Sequence, residues 1–256
     1  MKQSEMPEQQ FGARAQAYLQ STVHSQGKDL EEISHSAGRR SPGLHALDLG
    51  CGAGHVAFAM AGAGLSVSAL DPSEGMLEVV KQTAEQRGYA RFSTHLGQAE
   101  NLPFDDGSFE WVISRFSAHH WNNVPKGMQE ASRVLKDGGE IWIVDAMADE
   151  NPLYDTTLQT VEMLRDPSHV RNYRQSEWTT MLNAAGFQVV DSTAWTLRME
   201  FASWTTRMNT PELRCRAIEC VWARSSEEVR QHFDVLADGS FLLPVGLIKA
   251  IKAVTA

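Results

Sequence analysis

Cysteine is scarce, with three residues (Cys51, Cys215 and Cys220) in a chain of 256. That is too few for a disulfide framework, and neither a C-x-x-C pair nor a His-rich spacing marks a metal site, so a reduced cytoplasmic setting without a metal is expected. Positive charge is also short: 23 Lys and Arg stand against 32 Asp and Glu, a formal charge of −9. This balance disfavours proteins that track nucleic-acid phosphates or cling to anionic membranes, and it leaves small or cationic ligands. Long apolar runs are missing as well. The longest weakly polar stretch, 55–70, is broken by Gly62, Gly64, Ser66 and Ser68 and falls short of the roughly 20 apolar residues that span a bilayer. The opening MKQSEMPEQQ is polar and acidic where a secretion signal is basic and then apolar, so no such leader is expected. With 42% hydrophobic and 21% charged residues, the composition is that of an ordinary globular protein.

What is present between 44 and 148 is an alternation of short apolar runs with helical stretches, the pattern of βαβ units around a parallel sheet. Strands are predicted at 44–49, 65–70, 91–96, 109–114 and 140–146, and helices at 55–63, 74–87 and 126–135. Ser73 is the expected N-cap of the second helix, and Lys136-Asp137-Gly138-Gly139 the turn that ends the third. Beyond 149 the spacing predicts helices at 153–164, 177–185 and 211–223 and one strand at 187–197, while 245–254 reads equally as helix or strand. Residues 1–43 read as a helical lead-in around Phe11, Tyr18 and Leu19. The expected division is a lead-in or lid (1–43), a nucleotide-binding core (44–148), an insertion over the substrate (149–212) and a segment completing the sheet (213–256).

Chemistry concentrates at strand ends. Leu47-Asp48-Leu49-Gly50-Cys51-Gly52-Ala53-Gly54 lies between a strand and a helix, where alternate glycines let a ligand rest on bare peptide near a helix N-terminus. His55 occupies the position where the dinucleotide fingerprint G-x-G-x-x-G has its third glycine, which argues against NAD. Asp71 ends the second predicted strand and suits the two hydroxyls of a ribose, unless it only caps the next helix with Ser73. At the third strand end, Gly97-Gln98-Ala99-Glu100-Asn101-Leu102-Pro103-Phe104 offers polar groups to an adenine ring.

Five segments in order, L-D-L-G-C-G-A-G-H, A-L-D-P-S (69–73), G-Q-A-E-N-L-P-F (97–104), F-E-W-V-I-S-R (109–115) and R-V-L-K-D-G-G (133–139), resemble the motifs of class I S-adenosylmethionine (SAM)-dependent methyltransferases. Within these, the likeness is to the branch containing the ubiquinone and menaquinone C-methyltransferases and to a group of small bacterial relatives sharing R-F-S-A-H-H-W (115–121), L-R-D-P-S-H-V-R (164–171) and S-E-W (176–178). The resemblance implies a doubly wound, Rossmann-like seven-stranded α/β sheet with an antiparallel last strand, plus a helical lid or insertion. It also favours reading 245–254 as that strand. It implies SAM as the methyl donor and S-adenosylhomocysteine as the product. Asp48, Gly50, Gly52 and Gly54 would hold the methionine part, Asp71 the ribose, and Pro72, Met76, Gln98, Ala99 and Glu100 the adenine; Arg115 would lie near the methionine end or the acceptor. Gln98 stands where many members of the family have Asp, and its amide oxygen still accepts from an adenine amino group.

Methyl transfer from a sulfonium needs an in-line nucleophile and, where that atom carries a proton, a base. His119 and His120 follow the fourth strand, and either fits that role; the alternatives are packing and hydrogen bonding to substrate. A site made by Arg165, Asp166, His169, Arg171 and Tyr173 could recognise an anionic or hydroxylated acceptor, or be a salt-bridge network at a helix end. The Met and aromatic residues Tyr154, Met163, Trp178, Met181, Trp195, Met199, Phe201, Trp204 and Met208 suggest a lid over an apolar pocket. The expected function is methylation of a small planar, quinone-like, phenolic or heterocyclic acceptor by a monomer or homodimer, with no nucleic-acid or membrane partner. An oxidoreductase with a divergent glycine loop and a non-catalytic SAM-binding protein are the alternatives.

Overall fold

Apolar runs long enough to be covered on both faces become a parallel sheet here, with helices on either side. The computed structural model describes Met6 and residues 27–254, so the predicted helix around Phe11, Tyr18 and Leu19 lies outside the described residues. The first half runs α1 (Lys28–Gly38), β1 (His45–Leu49), α2 (His55–Gly62), β2 (Ser66–Asp71), α3 (Glu74–Gln86), β3 (Phe92–Leu96), β4 (Phe109–Arg115), a one-turn helix at Ala118–His120, α4 (Val124–Val134) and β5 (Leu135–Ala148). The second half runs α5 (Pro152–Arg165), β6 (Tyr173–Arg174), α6 (Gln175–Ala184), β7 (Phe187–Met199), α7 (Phe201–Met208), α8 (Glu212–Arg224), α9 (Glu227–His232) and β8 (Phe241–Lys252).

Local chemistry starts the helices where the sequence places them. Ser73 Oγ accepts the Met76 amide at 3.2 Å, Asn123 Oδ1 that of Lys126 at 3.0 Å, and Asn151 Oδ1 that of Leu153 at 3.0 Å. Each side chain satisfies an amide that has no partner inside the first turn.

The strand order is β3-β2-β1-β4-β5-β8-β7, with the two-residue β6 paired to β5. β8 runs antiparallel to both β5 and β7, so among the described strands of the main sheet it alone is reversed. Alternation along the strands feeds two cores. Ala46, Trp111, Ile113, Trp142 and Val144 pack with α1, α2, α3 and α5, while Leu47, Val112, Ile141 and Ile143 pack with α4 and α6. The order reverses between β1 and β4, and at such a switch point the crevice beyond the carboxyl ends of the strands receives the ligand.

Three differences from the sequence pattern have physical causes. Lys136-Asp137-Gly138-Gly139 is not a loop ahead of the strand: Leu135 already pairs with Phe109, and the ladder resumes at Trp111 with Glu140, so the four residues form an irregularity within β5. The stretch 245–254, ambiguous by periodicity, is the antiparallel strand that the resemblance implied as far as Lys252, but β8 starts four residues earlier, at Phe241, held by ladders on both sides. β7 and β8 also extend past the end of β5. The β5 pairing stops at Ala146 with Val245, whereas β7 and β8 continue through Met199 with Phe241 and overhang the carboxyl edge of the sheet. The short helix α7, absent from the sequence reading, follows that overhang and buries Trp204 and Met208.

Candidate active site

A cavity of about 210 Å³ opens at the switch point. One end is made by the β1–α2 loop and the carboxyl end of β2. Gly50 (φ 76°) and Gly52 (φ 48°) both adopt left-handed backbone conformations but play different parts. A Cβ on Gly50 would sit 1.8 Å from Ser117 Oγ, so that glycine permits the close approach of the loop after β4. A Cβ on Gly52 would meet nothing within 4 Å; its bare peptide faces the cavity, and a side chain would take ligand space.

Two carboxylates hold the loop. Asp71 Oδ2 accepts the Gly52 amide at 2.8 Å and Oδ1 accepts that of Ser73 at 2.9 Å. Asp48 accepts the Ala57 amide at 2.8 Å from beneath α2. Burial pushes the Asp48 carboxyl up to about 7, and the nearby Asp71 charge adds to the effect. Pro72, Met76, Gln98, Ala99 and Glu100 continue the wall, where Glu100 also accepts the Asn123 amide at 3.0 Å. Arg115 lines the same end and is ion-paired through Nε to the buried Asp29 of α1.

The other end is built by the turn after β4, by α5, by the β7–β8 overhang and by α7. Leu197, Met199, Leu243, Trp204 and Met208 supply apolar wall, while Glu162, Arg165, Asp166 and Asn172 supply polar groups. Arg165 Nε donates to the Trp204 carbonyl at 3.1 Å, and its guanidinium lies 5.0 Å from the Trp204 ring centre. Burial raises the Glu162 carboxyl above its ordinary range. Asn172 is 1% exposed, and among the described residues neither its Oδ1 nor its Nδ2 has a hydrogen-bond partner.

Between the two ends sit the imidazoles of His119 and His120, with that of His169 behind them, 5.7 Å from the His119 ring. His119 Nδ1 lies 2.5 Å from Asp145 Oδ1, and the His119 amide donates to Asp145 Oδ2 at 3.2 Å. His120 Nδ1 is 3.1 Å from the Ser168 carbonyl, and its Nε2 is 4.0 Å from Asp166. His169 is buried and joined to Gln159 Oε1 at 2.9 Å. Burial opposes protonation of all three, but Asp145 overcomes it at His119, whose imidazole titrates above its ordinary value. Burial and the neighbouring His119 press His120 down to about 4. Among the described residues no group of three or more His, Cys, Asp or Glu is placed to hold a metal ion.

Residues 47–143 match the family described as Methyltransferase domain. The YafE protein of Escherichia coli is 45% identical over 188 residues, covering 73% of this chain and 91% of that one. The crystal structure of YcgJ from Bacillus subtilis superposes with a TM-score of 0.82 at 34% identity, covering 91% of this chain and all (100%) of that one. The chain belongs to the class I methyltransferases. A demethylmenaquinone methyltransferase of Chlorobaculum parvum is 35% identical over 117 residues, 45% of this chain and 46% of the relative.

In this methyltransferase the residues expected to hold the donor gather at one end: Asp48, Gly50, Gly52, Asp71, Pro72, Met76, Gln98, Ala99, Glu100 and Arg115 all line the cavity. Gly54 does not. Its Cβ would strike Val80 and Phe58 at 3.0–3.1 Å, so it serves the packing of α2 against α3. His119, His120 and Arg165 also line the cavity, but His169, Arg171 and Tyr173 do not. Arg171 pairs with Asp155 and Glu177 at 3.2 and 3.4 Å, as a salt-bridge network does, and Tyr173 packs edge-on against Trp178. The His119 carbonyl accepts the Val170 and Arg171 amides, so this segment supports the site through its backbone. Of the suggested lid residues, Met199, Trp204 and Met208 reach the cavity, whereas Trp178 packs under α6 and Met163 is exposed. Asp145, Glu162 and Asn172 escaped the sequence reading. Its place inside the continuous buried run 141–148 of β5 marks Asp145 as a buried polar residue, but nothing local signals the other two.

Proposed function

We propose that this methyltransferase moves a methyl group from SAM to a small, largely apolar acceptor carrying a hydroxylated ring. The observation that carries the reading is the continuity of one cavity from the Gly52–Asp71 loop to the apolar overhang of β7 and β8, with His119 between them. The donor supplies a methyl carbon made electrophilic by a positive sulfur. On this reading Asp71 holds the ribose hydroxyls, the bare Gly52 peptide lets the donor lie close, and Met76, Ala99 and Gln98 bracket the adenine. Asp48 and Arg115 face the charged amino-acid end. Ionised Asp48 suits a cationic neighbour, and a bound cation in turn favours its ionisation. The acceptor rests against Leu197, Met199, Trp204 and Leu243, where exclusion of water and alignment supply most of the rate. The C. parvum relative, whose named substrate carries a quinone-type ring, supports this acceptor chemistry.

Titration calorimetry tests the donor site. One S-adenosylhomocysteine is expected to bind per chain with no heat from NAD, and Asp71→Ala is expected to weaken binding by about 100-fold through loss of two charge-assisted hydrogen bonds. Heat from NAD and silence from S-adenosylhomocysteine would overturn the reading.

A further inference from the structure

The two adjacent histidines differ in what they can do with a proton. Asp145 lies on β5, 2% exposed, and binds His119 through both ring and backbone. A carboxylate only accepts, so in the neutral ring the proton stays on Nδ1 and the lone pair on Nε2. Among the described residues that Nε2 makes no hydrogen bond, and His119 lines the cavity. His120 is arranged otherwise: its Nδ1 is committed to the Ser168 carbonyl and its Nε2 faces Asp166.

We propose that His119, oriented by Asp145, is the general base of the reaction and removes the proton from a weakly acidic acceptor hydroxyl that is un-ionised at neutral pH. The proposal rests on the methyl-transfer reading above. In the step, the acceptor O–H bond breaks and its proton goes to His119 Nε2. The oxygen pair forms the O–CH₃ bond as the S–CH₃ bond breaks, and that bond's electrons stay on sulfur. The products are a methyl ether, S-adenosylhomocysteine and an imidazolium paired with Asp145, which later returns the proton to solvent. Asp145 acts as a positioning residue that also stabilises the imidazolium.

The surroundings favour an oxygen acid over an amine. One face of Trp204 already holds the Arg165 guanidinium, whose positive charge beside the cavity disfavours an ammonium, and burial drives Glu162 toward its neutral form. The charged and titratable groups facing His119 are Asp145 from β5, Glu162 from α5, Asp166 and His169 from the following loop, and His120 from its own turn. Arg165 shares the cavity wall. Asp145, Glu162 and Asp166 favour the imidazolium, as a base that must hold a proton requires.

The test uses the full chain, SAM and a series of para-substituted phenols from methoxyphenol, un-ionised at neutral pH, to nitrophenol, ionised in mildly alkaline buffer. His119→Asn is expected to lower kcat on methoxyphenol by about 10²–10⁴-fold with unchanged S-adenosylhomocysteine affinity. On nitrophenol, which needs no base, the loss is expected to shrink below about tenfold. His120→Asn is expected to show no dependence on acceptor acidity. Independently of turnover, imidazole nitrogen NMR is expected to find neutral His119 protonated on Nδ1 and to see its pKa fall in Asp145→Asn. A loss in His119→Asn that is equal on both phenols, or a wild-type His119 protonated on Nε2, overturns the base assignment. Transfer to no phenol while S-adenosylhomocysteine still binds overturns the acceptor class and leaves the donor site standing. Failure to bind S-adenosylhomocysteine overturns the underlying reading.

Discussion

Gly50 and Gly52 look equivalent in the motif, yet a methyl group at one meets protein and at the other meets the cavity. Gly52→Val is expected to fold at a cost of about 1–2 kcal/mol for its left-handed backbone and to lose S-adenosylhomocysteine binding, as thermal melting with calorimetry will show. Gly50→Ala strikes Ser117 instead, so it is expected to destabilise more, and adding Ser117→Gly is expected to recover part of the loss. Asn172 makes the opposite kind of prediction. Among the described residues its buried side-chain amide has no partner, so Asn172→Leu is expected to leave stability equal or higher, and to raise the acceptor KM if that amide meets the acceptor. Asp48 sets a pH dependence. Its carboxyl titrates near 7 when folded and near 4 when unfolded, so the folded state holds the extra proton between them. Stability of the ligand-free protein therefore falls as pH rises from about 4 to about 7, by roughly 2–4 kcal/mol, and Asp48→Asn is expected to flatten that slope in denaturant titrations at several pH values.

The loop from β3 to β4, which carries Gln98, Ala99 and Glu100, has no helix of its own and is held from α4. Arg133 donates to the carbonyls of Phe104 and Leu102 and to Asp106, while Glu130 accepts the Leu102 amide. The Arg133 guanidinium beside Glu130 holds its carboxyl down to about 2. That contribution is present above the ordinary Glu range and is lost as pH falls toward 2. Glu130→Gln is expected to cost about 1–2 kcal/mol at neutral pH and much less near pH 3, measured by urea melts; an equal cost at both would refute the pin. The strands that form the core of the sheet were legible because each is an apolar run bounded by turn residues. β8 was not, because Val245–Lys252 carries apolar residues on both faces and only its two partner strands decide its form.

Taken as one body, the molecule builds one end of the cavity from the first half of the chain and brings α5, α7 and the β7–β8 overhang of the second half to the other, so on the proposed reading ligand binding links the two. S-adenosylhomocysteine at 100 times its dissociation constant is expected to add about 2.7 kcal/mol and raise the melting temperature by roughly 5–10 °C. Hydrogen exchange is expected to slow in the β1–α2 loop and in α1, which is tied to the cavity through the Asp29–Arg115 pair; protection confined to the loop would remove α1 from the site. No described helix is long and apolar enough to cross a membrane.

Short-range order was enough to reveal the βαβ half, the glycine loop, Asp71 at its strand end and the neighbouring histidines. All of these depend on spacing within a few residues and on turn chemistry that acts locally. The other end of the cavity was decided by tertiary structure. Asp145 meets His119 across 26 residues, and Arg165 reaches the Trp204 carbonyl across 39, contacts that no periodicity encodes. The same is true of the choice between the two histidines. They are the same residue type in the sequence, and only tertiary structure separates their proton affinities: Asp145 raises that of His119, while burial and the neighbouring His119 lower that of His120.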